Sequence, residues 1–238
     1  MELDDRVAVV TGASTGIGRA VATALGEAGC NLAICARTRS DLEEAAGDLR
    51  DTSAPRVLAM TCDVSDPEEV AGLAEGVLEE LGPPDVLVNN AGIGVFGRFQ
   101  DLSLEDFDHT FGVNVRGTFL CSRAFVPSMV AAGGGVIVNI ASLAGKNVFA
   151  SGSIYAASKH AVLGMSKCMM LDLRDEGIRV LTVCPGSVDT PFFEKQDHMT
   201  PERSKILSPE DVAELVLTAI RLSDRGTVSE VEIRPVNP

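Results

Sequence analysis

Residues 7–18 read VAVVTGASTGIG, and this stretch decides the fold of the chain. Its first four residues are apolar and mostly β-branched, as expected for a buried parallel strand. Three glycines follow, Gly12, Gly16 and Gly18, and a helical pattern runs from Arg19 to Ala28. A strand, a glycine-rich turn and a helix start can bind a pyrophosphate, because glycine lets the backbone approach the anion and the helix N-terminus attracts negative charge. Tight turns also need glycine for backbone reasons alone, and the spacing G-x-x-x-G-x-G differs from the general dinucleotide fingerprint, so this indication needs support elsewhere.

The rest of the chain alternates short apolar runs with helical patterns. Strands are predicted at 7–11, 31–35, 56–60, 85–89, 135–141, 178–184 and 229–233, and helices at 16–28, 40–50, 67–81, 104–131, 153–175 and 209–222. Helix start signals stand at Asp66, Ser103 and Ser208, each followed three residues later by an acid. The pattern predicts one α/β domain over residues 1–238, Rossmann-like and doubly wound, with a seven-stranded, mainly parallel sheet and helices on both faces. Ligands of such folds bind beyond the carboxyl ends of the strands.

The single tyrosine, Tyr155, stands four residues before Lys159 and thirteen after Ser142. On a helix over 153–175, residues four apart project from the same face. We expect the ammonium to lower the pKa of the phenol, which would make Tyr155 an acid–base catalyst, while the Ser142 hydroxyl could hold a carbonyl oxygen against it. The alternative is a half-buried tyrosine beside a surface lysine.

With these motifs the sequence resembles the short-chain dehydrogenases/reductases, over nearly the whole chain. It carries the T-G-x-x-x-G-I-G turn, Y-x-x-x-K at Tyr155, and Asn89–Gly92 (N-N-A-G) after the fourth predicted strand. In the family's order it also has Asn114, Ser142, Pro185, Gly186 and Thr190.

The resemblance implies hydride transfer between a nicotinamide and a carbonyl or secondary alcohol. Tyr155 is then the general acid in reduction and the base in oxidation, and Ser142 stabilises charge on the substrate oxygen. Lys159 is expected to bind the nicotinamide ribose and to lower the pKa of the phenol. Asn114, which is unfavourable inside a helix, is expected to hold a water that supplies protons.

NADP(H) is predicted as the cofactor in preference to NAD. No carboxylate follows the second strand, where the family's NAD enzymes carry one, and Arg37 stands there to bind a 2′-phosphate. Thr15 occupies a position where some NADP-dependent members carry a base, and Arg37 and Arg39 could simply be solvated. The resemblance further suggests that Asp63 contacts the adenine and that the 185–190 turn contacts the nicotinamide. The predicted cofactor residues are Gly12, Ser14, Thr15, Gly16, Ile17, Gly18, Arg37, Asp63, Val64, Asn90, Ala91, Gly92, Tyr155, Lys159, Pro185, Gly186, Val188 and Thr190.

The substrate is predicted to be an apolar ketone, aldehyde or alcohol. Segments 93–99, 143–149 and 188–193 supply the candidate pocket walls, and the irregular segment 187–207 is interpreted as a substrate lid. The wall residues are Val95, Phe96, Phe99, Val148, Phe149, Phe192 and Phe193, although these side chains could equally be core. Arg98 and Lys146 are the nearby cations, and they leave 3-oxoacyl-thioester reduction as the leading alternative substrate chemistry.

Two other function classes are weighed. A non-catalytic nucleotide sensor could use this fold, but it would not need the Ser142, Tyr155 and Lys159 set. A transferase or hydrolase would need a nucleophile–base pair at the strand ends, and none is evident.

Composition limits the partners. The net charge of −14 disfavours binding to nucleic acid and to an anionic membrane surface.

Neither a secretory signal nor a transmembrane stretch is recognisable, so a cytoplasmic location is expected. The three histidines show no ligand spacing, and no metal site is predicted. The six cysteines form no C-x-x-C pair, and four of them that lie in or beside apolar runs are expected to be buried thiols: Cys30, Cys35, Cys121 and Cys184. The resemblance alone implies a homo-oligomer, dimer or tetramer, assembled through the helices that bear Asn114 and Tyr155.

Overall fold

A computed structural model describes residues 1–52, 54–193, 202–223 and 225–236. The strands are β1 (Val7–Thr11), β2 (Asn31–Ala36), β3 (Val57–Thr61), β4 (Val86–Asn89), β5 (Gly135–Ile140), β6 (Ile178–Pro185) and β7 (Glu230–Ile233). The helices are α1 (Gly16–Glu27), α2 (Arg39–Thr52), α3 (Pro67–Glu80), α4 (Leu104–Phe111), α5 (Thr118–Ala131), α6 (Ser153–Leu173) and α7 (Pro209–Arg221). These elements confirm the predicted order, and their boundaries differ from the predicted ones by at most two residues, except that the predicted helix 104–131 is divided into α4 and α5.

All seven strands join one parallel sheet in the order β3-β2-β1-β4-β5-β6-β7. The chain runs outward from β1 to β3 and then returns to place β4 beside β1. Between β1 and β4 the direction of winding reverses, and a crevice opens there beyond the carboxyl ends of the strands. The predicted doubly wound α/β fold is confirmed.

The core lies on both faces of the sheet. In β1, Ala8 and Val10 pack into one apolar cluster, and Val7 and Val9 pack into another on the opposite face, because side chains alternate along a strand. Side chains of α1, α2 and α7 complete the first cluster, and those of α3 and α5 complete the second. Five of the six cysteines are buried, including the four expected to be core thiols.

The helix starts follow the predicted capping chemistry. The Asp66 carboxylate accepts hydrogen bonds from the N–H groups of Glu68 and Glu69 at 2.8 and 3.1 Å. Ser103 and Ser208 each form a reciprocal capping box with the acid three residues later. These caps fix where α3, α4 and α7 begin.

The long predicted helix 104–131 is interrupted in its middle. A π-helical turn, Gly112–Gly117, joins α4 to α5 and contains Asn114. Such turns are rare in proteins, and those that occur often lie at functional sites. The sequence indicated that Asn114 is unusual within a helix, but it did not predict the change of helical geometry.

Candidate active site

The turns that follow β1 and β4 are tied together at the crevice. The Thr11 hydroxyl accepts hydrogen bonds from the N–H groups of Asn90 and Ala91, both at 3.0 Å. In return, Asn90 Nδ2 donates to the carbonyl oxygens of Thr11 and Gly12, both at 3.0 Å. These bonds hold the glycine-rich turn and the N-N-A-G segment side by side as one surface.

Two positions require glycine because a side chain there would clash with neighbouring atoms. Gly12 has φ +63°, and a Cβ there would lie 2.8 Å from Ala91 Cα. A Cβ on Gly18 would lie 2.3 Å from both Asn90 Nδ2 and the Gly12 oxygen. Gly18 therefore lets the first turn of α1 pack against the loops, while Gly12 lets the two loops approach each other.

One end of the crevice carries the groups predicted to bind the adenosine half of a cofactor. Arg37 lines it, and within the part of the chain described its guanidinium makes no ion pair, whereas Arg39 is bound to Glu43 at 2.7 Å. Burial would raise the pKa of Asp63, but hydrogen bonds from Ser65 and the charge of Arg37 lower it overall. Asp63 also shapes its own turn, since it accepts from the Ser65 N–H and hydroxyl at 2.9 and 2.7 Å. The geometry is therefore compatible both with the predicted adenine contact and with a role of Asp63 in the turn before α3.

Ser142, Tyr155 and Lys159 meet at the other end of the crevice. Ser142 follows β5 and accepts a hydrogen bond from the Ala144 N–H at 3.1 Å. Tyr155 and Lys159 lie one turn apart on α6, with the ammonium 5.8 Å from the centre of the phenol ring. Lys159 is only 5% exposed, and its Nζ donates to the Ile140 carbonyl at 3.0 Å.

The predicted net decrease in the pKa of Tyr155 is wrong. Burial raises the pKa of Tyr155, and the hydrogen bond with Ser142 opposes that rise only in part. Burial also lowers the pKa of Lys159 to about 8. The ammonium is directed at a backbone carbonyl, so the desolvation of the phenol dominates.

Asn114 lies behind the crevice rather than in its wall. Its amide group accepts from the Ile93 N–H at 2.8 Å and donates to the Ile93 oxygen and to Ser158 Oγ, both at 2.9 Å. Ser158 Oγ in turn donates to the backbone oxygen of Tyr155 at 2.7 Å. Both N–H groups of the amide are used by protein atoms, and the side chain of Asn114 therefore ties α6 to the segment after β4.

Aromatic rings surround the phenol. The centroid of Phe96 lies 5.2 Å from that of Tyr155, and the centroid of Phe192 lies 5.7 Å from it. Phe149 and Phe193 extend this group, at 5.9 Å from Phe96 and 5.6 Å from Phe192. The wall near Tyr155 is therefore strongly apolar.

The segment predicted to be a lid is anchored at both ends. Val188 pairs with Leu207 in a parallel bridge, and Arg203 forms an ion pair with Asp189 at 3.2 Å. Residues 194–201 of the predicted lid lie outside the described residues.

These groups line one continuous cleft of about 1060 Å³. Every predicted catalytic and cofactor residue lies in its wall except Asn114 and Gly18, which support the wall from behind. The predicted wall residues also line it, except Phe99. The sequence reasoning missed several lining residues that lie outside the predicted wall and lid segments: Thr38, Asp41, Arg234 and Pro235.

The two cations considered for an anionic substrate do not line the cleft. Lys146 is paired instead with Glu230 and Glu232 of β7. These hydrogen bonds raise the pKa of Lys146 above its ordinary value. Arg98 is exposed at the start of a short 3₁₀ turn.

The described residues contain neither a cluster of metal ligands nor a membrane-spanning helix. No group of three or more His, Cys, Asp and Glu side chains among them could hold a metal ion. None of the helices in the described ranges combines the length and hydropathy needed to cross a bilayer.

Known proteins match the chain over nearly its whole length. An uncharacterised oxidoreductase of Staphylococcus saprophyticus is 36% identical over 236 residues, which cover 99% of this chain and 100% of that protein. A metagenomic short-chain oxidoreductase solved with NADP is 36% identical, with full coverage of both chains and a TM-score of 0.87.

Two further solved structures are similar. An alcohol dehydrogenase of the archaeon Thermococcus sibiricus, complexed with 5-hydroxy-NADP, is 34% identical with a TM-score of 0.90 and 97% coverage of each chain. A short-chain dehydrogenase/reductase of Burkholderia phymatum, complexed with NAD, is 32% identical with a TM-score of 0.88 and covers 97% of this chain and 90% of that one. The short chain dehydrogenase family model matches residues 6–201. The chain therefore belongs to the short-chain dehydrogenase/reductase family and is an oxidoreductase.

Proposed function

We propose that this protein is an NADP(H)-dependent reductase of apolar carbonyl compounds, with Tyr155 as the proton donor. The observation that carries the proposal is a single cleft with the glycine-rich turn and Arg37 at one end and Ser142, Tyr155 and Lys159 at the other. Such a cleft can hold a dinucleotide along its length and a carbonyl oxygen against the phenol.

The residues present fit a dinucleotide. Gly12 and Gly16 both have positive φ, and added Cβ atoms there would lie within 3 Å of Ala91 and Thr190 respectively. The backbone is thus left bare where a pyrophosphate would approach the N-terminus of α1. Asp63 and Arg37 would hold the adenosine half, and Lys159 and Thr190 the nicotinamide half. When bound, the reduced cofactor supplies the hydride.

The chain's own side chains handle the oxygen of the substrate. The Ser142 hydroxyl donates a hydrogen bond to the carbonyl oxygen and stabilises the negative charge that develops there. Tyr155 transfers its phenolic proton to that oxygen, which completes the alcohol. The charge of Lys159 stabilises the phenolate that remains. A water held by Asn114, as the family resemblance implies, remains a prediction.

The raised pKa of Tyr155 is compatible with its proposed role as a proton donor. A phenol whose pKa lies above its ordinary value is protonated at neutral pH, which is the form required for reduction of a carbonyl.

The preference for NADP(H) rests on Arg37. Its guanidinium lines the adenosine end of the cleft, and a guanidinium suits a phosphate dianion both in geometry and in charge. Two of the similar structures bind NADP or its 5-hydroxy derivative, while one binds NAD. Asp41 lines the same end, and we expect its carboxylate to moderate the preference without reversing it.

The aromatic wall favours a neutral, apolar substrate. Phe96 and Phe192 contact the Tyr155 ring. Among the described residues, Arg234 is the cation that lines the cleft besides Arg37 and Lys159, and its guanidinium is paired with Glu232. Because Lys146 is occupied by two carboxylates, 3-oxoacyl-thioester reduction loses one of the two cations that suggested it.

The test is turnover with NADPH and a panel of ketones and acyl thioesters. Tyr155→Phe should lower kcat by at least about a hundredfold, since general acid catalysis contributes roughly 10²–10⁴. Its NADPH affinity, measured by binding titration, should be unchanged. NADPH binding without turnover of any panel member would instead favour a nucleotide sensor.

We further propose a homo-oligomer in the cytoplasm, with a lid over residues 187–207. Large apolar side chains are exposed on α4, α5 and α6: Leu104 (74%), Phe107 (42%), Phe119 (48%) and Leu171 (55%). Association through these helices would remove them from water. Light scattering gives the subunit number, and a monomer at micromolar concentration would contradict this assembly.

A further inference from the structure

A second cavity of about 400 Å³ lies beside the main cleft, and we call it the outer pocket. Its volume falls within the roughly 300–1,000 Å³ of small-molecule sites. It is formed where the segment after β4 meets the segment before α6 and the first turns of α6. The residues that line it are Gly97, Phe99, Val148, Phe149, Ser151, Gly152, Ser153, Ala156, Ala157 and His160.

The outer pocket adjoins the active site. Val148 and Phe149 line both cavities, so these two side chains form the partition between them. The Phe149 ring contacts Phe96, and Phe96 contacts Tyr155. A chain extending away from a carbonyl at Tyr155 therefore meets the outer pocket after passing one aromatic layer.

The partition is held in a defined position. The Gly97 N–H donates to the Ser151 oxygen at 3.0 Å, and the Gly152 N–H donates to the Phe149 oxygen at 3.3 Å. Ser151 adopts φ +65°, a conformation that residues other than glycine rarely take. A Cβ on Gly152 would lie 2.4 Å from the Phe149 ring, so glycine is the residue that lets this ring lie against the backbone.

The pocket presents apolar surface to solvent. Phe99 is 81% exposed, Val148 83% and Phe149 39%, although all three are large apolar side chains. Exposed apolar surface that is gathered in a groove next to an active site marks a binding site more often than chance exposure does. His160 is the one titratable side chain in the lining, so the pocket offers no fixed cation to an anionic group.

We propose that the outer pocket is a second substrate subsite, which binds the distal part of a neutral ketone with a long alkyl or arylalkyl chain. The carbonyl lies at Tyr155, and the chain passes over Phe149 into the outer pocket. This inference rests on the proposed carbonyl reductase function and names its substrate class.

The experiment compares kcat/KM for a homologous series of methyl ketones from 2-butanone to 2-dodecanone, with NADPH. Once the chain is long enough to pass Phe149, kcat/KM should rise by about fourfold for each methylene buried and then reach a plateau. Ala157→Trp should abolish this rise and leave 2-butanone unaffected, because Ala157 is exposed in the outer pocket and does not line the main cleft. Ala71→Trp on the exposed face of α3 is the matched control.

A second variant lies outside the helices proposed for association, and so guards against misfolding or altered assembly of the first. Phe99→Asp places a carboxylate in the outer pocket without changing a residue that lines the main cleft, and it too should abolish the preference for long chains. The oligomeric state of each variant is measured by light scattering, which separates a filled pocket from altered association. A length dependence that survives in both variants, or that is absent from the wild type while 2-butanone is reduced, overturns the subsite and leaves the reductase function standing. No turnover with any ketone overturns both.

Discussion

Replacing Lys159 with methionine tests whether the active site holds a charge that destabilises the fold. Lys159 is 5% exposed, and the one hydrogen bond described for its ammonium runs to the Ile140 carbonyl. Methionine has a similar length and no charge, so it removes the ammonium with little change in packing. The variant should be inactive and yet more stable than the wild type at neutral pH.

The magnitude follows from the pKa of Lys159. Burial lowers that pKa from 10.5 to about 8. Each pKa unit corresponds to about 1.4 kcal/mol. Below pH 8 the buried ammonium therefore lowers the free energy of unfolding by about 3 kcal/mol. The unpaired Ile140 carbonyl in the variant would offset about 1 kcal/mol of the gain at every pH.

The sign of the pH dependence is fixed by the same values. Because the folded pKa lies below the unfolded one, the unfolded wild type binds more protons between about pH 8 and pH 10.5. The free energy of unfolding of the wild type therefore rises across this window relative to that of Lys159→Met. The advantage of the variant should be greatest below pH 8 and should vanish or reverse near pH 10.5.

The assay is urea unfolding at a fixed protein concentration, followed by far-UV circular dichroism because the chain has no tryptophan. Lys167→Met is the control: it lies on the same helix with its side chain 65% exposed, and it should not gain stability at neutral pH. A stability difference between Lys159→Met and the wild type that stays constant from about pH 7 to pH 10.5 would refute the reasoning.

Two further substitutions test the cofactor site. Arg37→Asp should lower the ratio of NADP affinity to NAD affinity by about 10–100-fold, which is the contribution of a charged hydrogen bond, whereas Arg39→Asp should change this ratio little. An equal fall of the ratio in both variants would contradict the assignment of Arg37 to the 2′-phosphate. Thr11→Val removes the acceptor of two N–H groups, those of Asn90 and Ala91, and should lower the free energy of unfolding by about 2–4 kcal/mol. Thr11→Ser keeps the hydroxyl, so its free energy of unfolding should fall by less than that of Thr11→Val, as measured by chemical denaturation.

The elements of the fold could be predicted because their signals are local. In β1 and β2 every residue is buried, and a strand buried on both faces appears in the sequence as a continuous apolar run. The caps at Asp66, Ser103 and Ser208 depend on side chains within three residues of the helix start. Position at the strand ends then predicted which motifs would share a cleft.

Features that depend on distant contacts could not be predicted in the same way. The π-helical turn at Asn114 is held by Ile93 and Ser158, which are 21 and 44 residues away. Lys146 was available to a substrate in the sequence, but Glu230, 84 residues away, binds it in the fold. The predicted decrease in the pKa of Tyr155 failed for a related reason, since the burial of a side chain is set by all the elements that pack around it.

The hydrogen bonds around Asn114 join three separate segments of the proposed active site: the backbone after β4, the π-helical turn and α6. The amide of Asn114 joins the backbone after β4 to Ser158, and Ser158 joins the first turn of α6 through the Tyr155 carbonyl. A Cβ on Gly92 would lie 3.3 Å from Asn114 Oδ1 and 3.4 Å from Lys159 Nζ. The loop that contains Gly92 therefore packs directly against these two side chains. The backbone of α6 at Tyr155 is therefore tied to the π-helical turn and to the segment after β4. We infer that the unusual helical geometry at Asn114 contributes to the placement of the proposed proton donor.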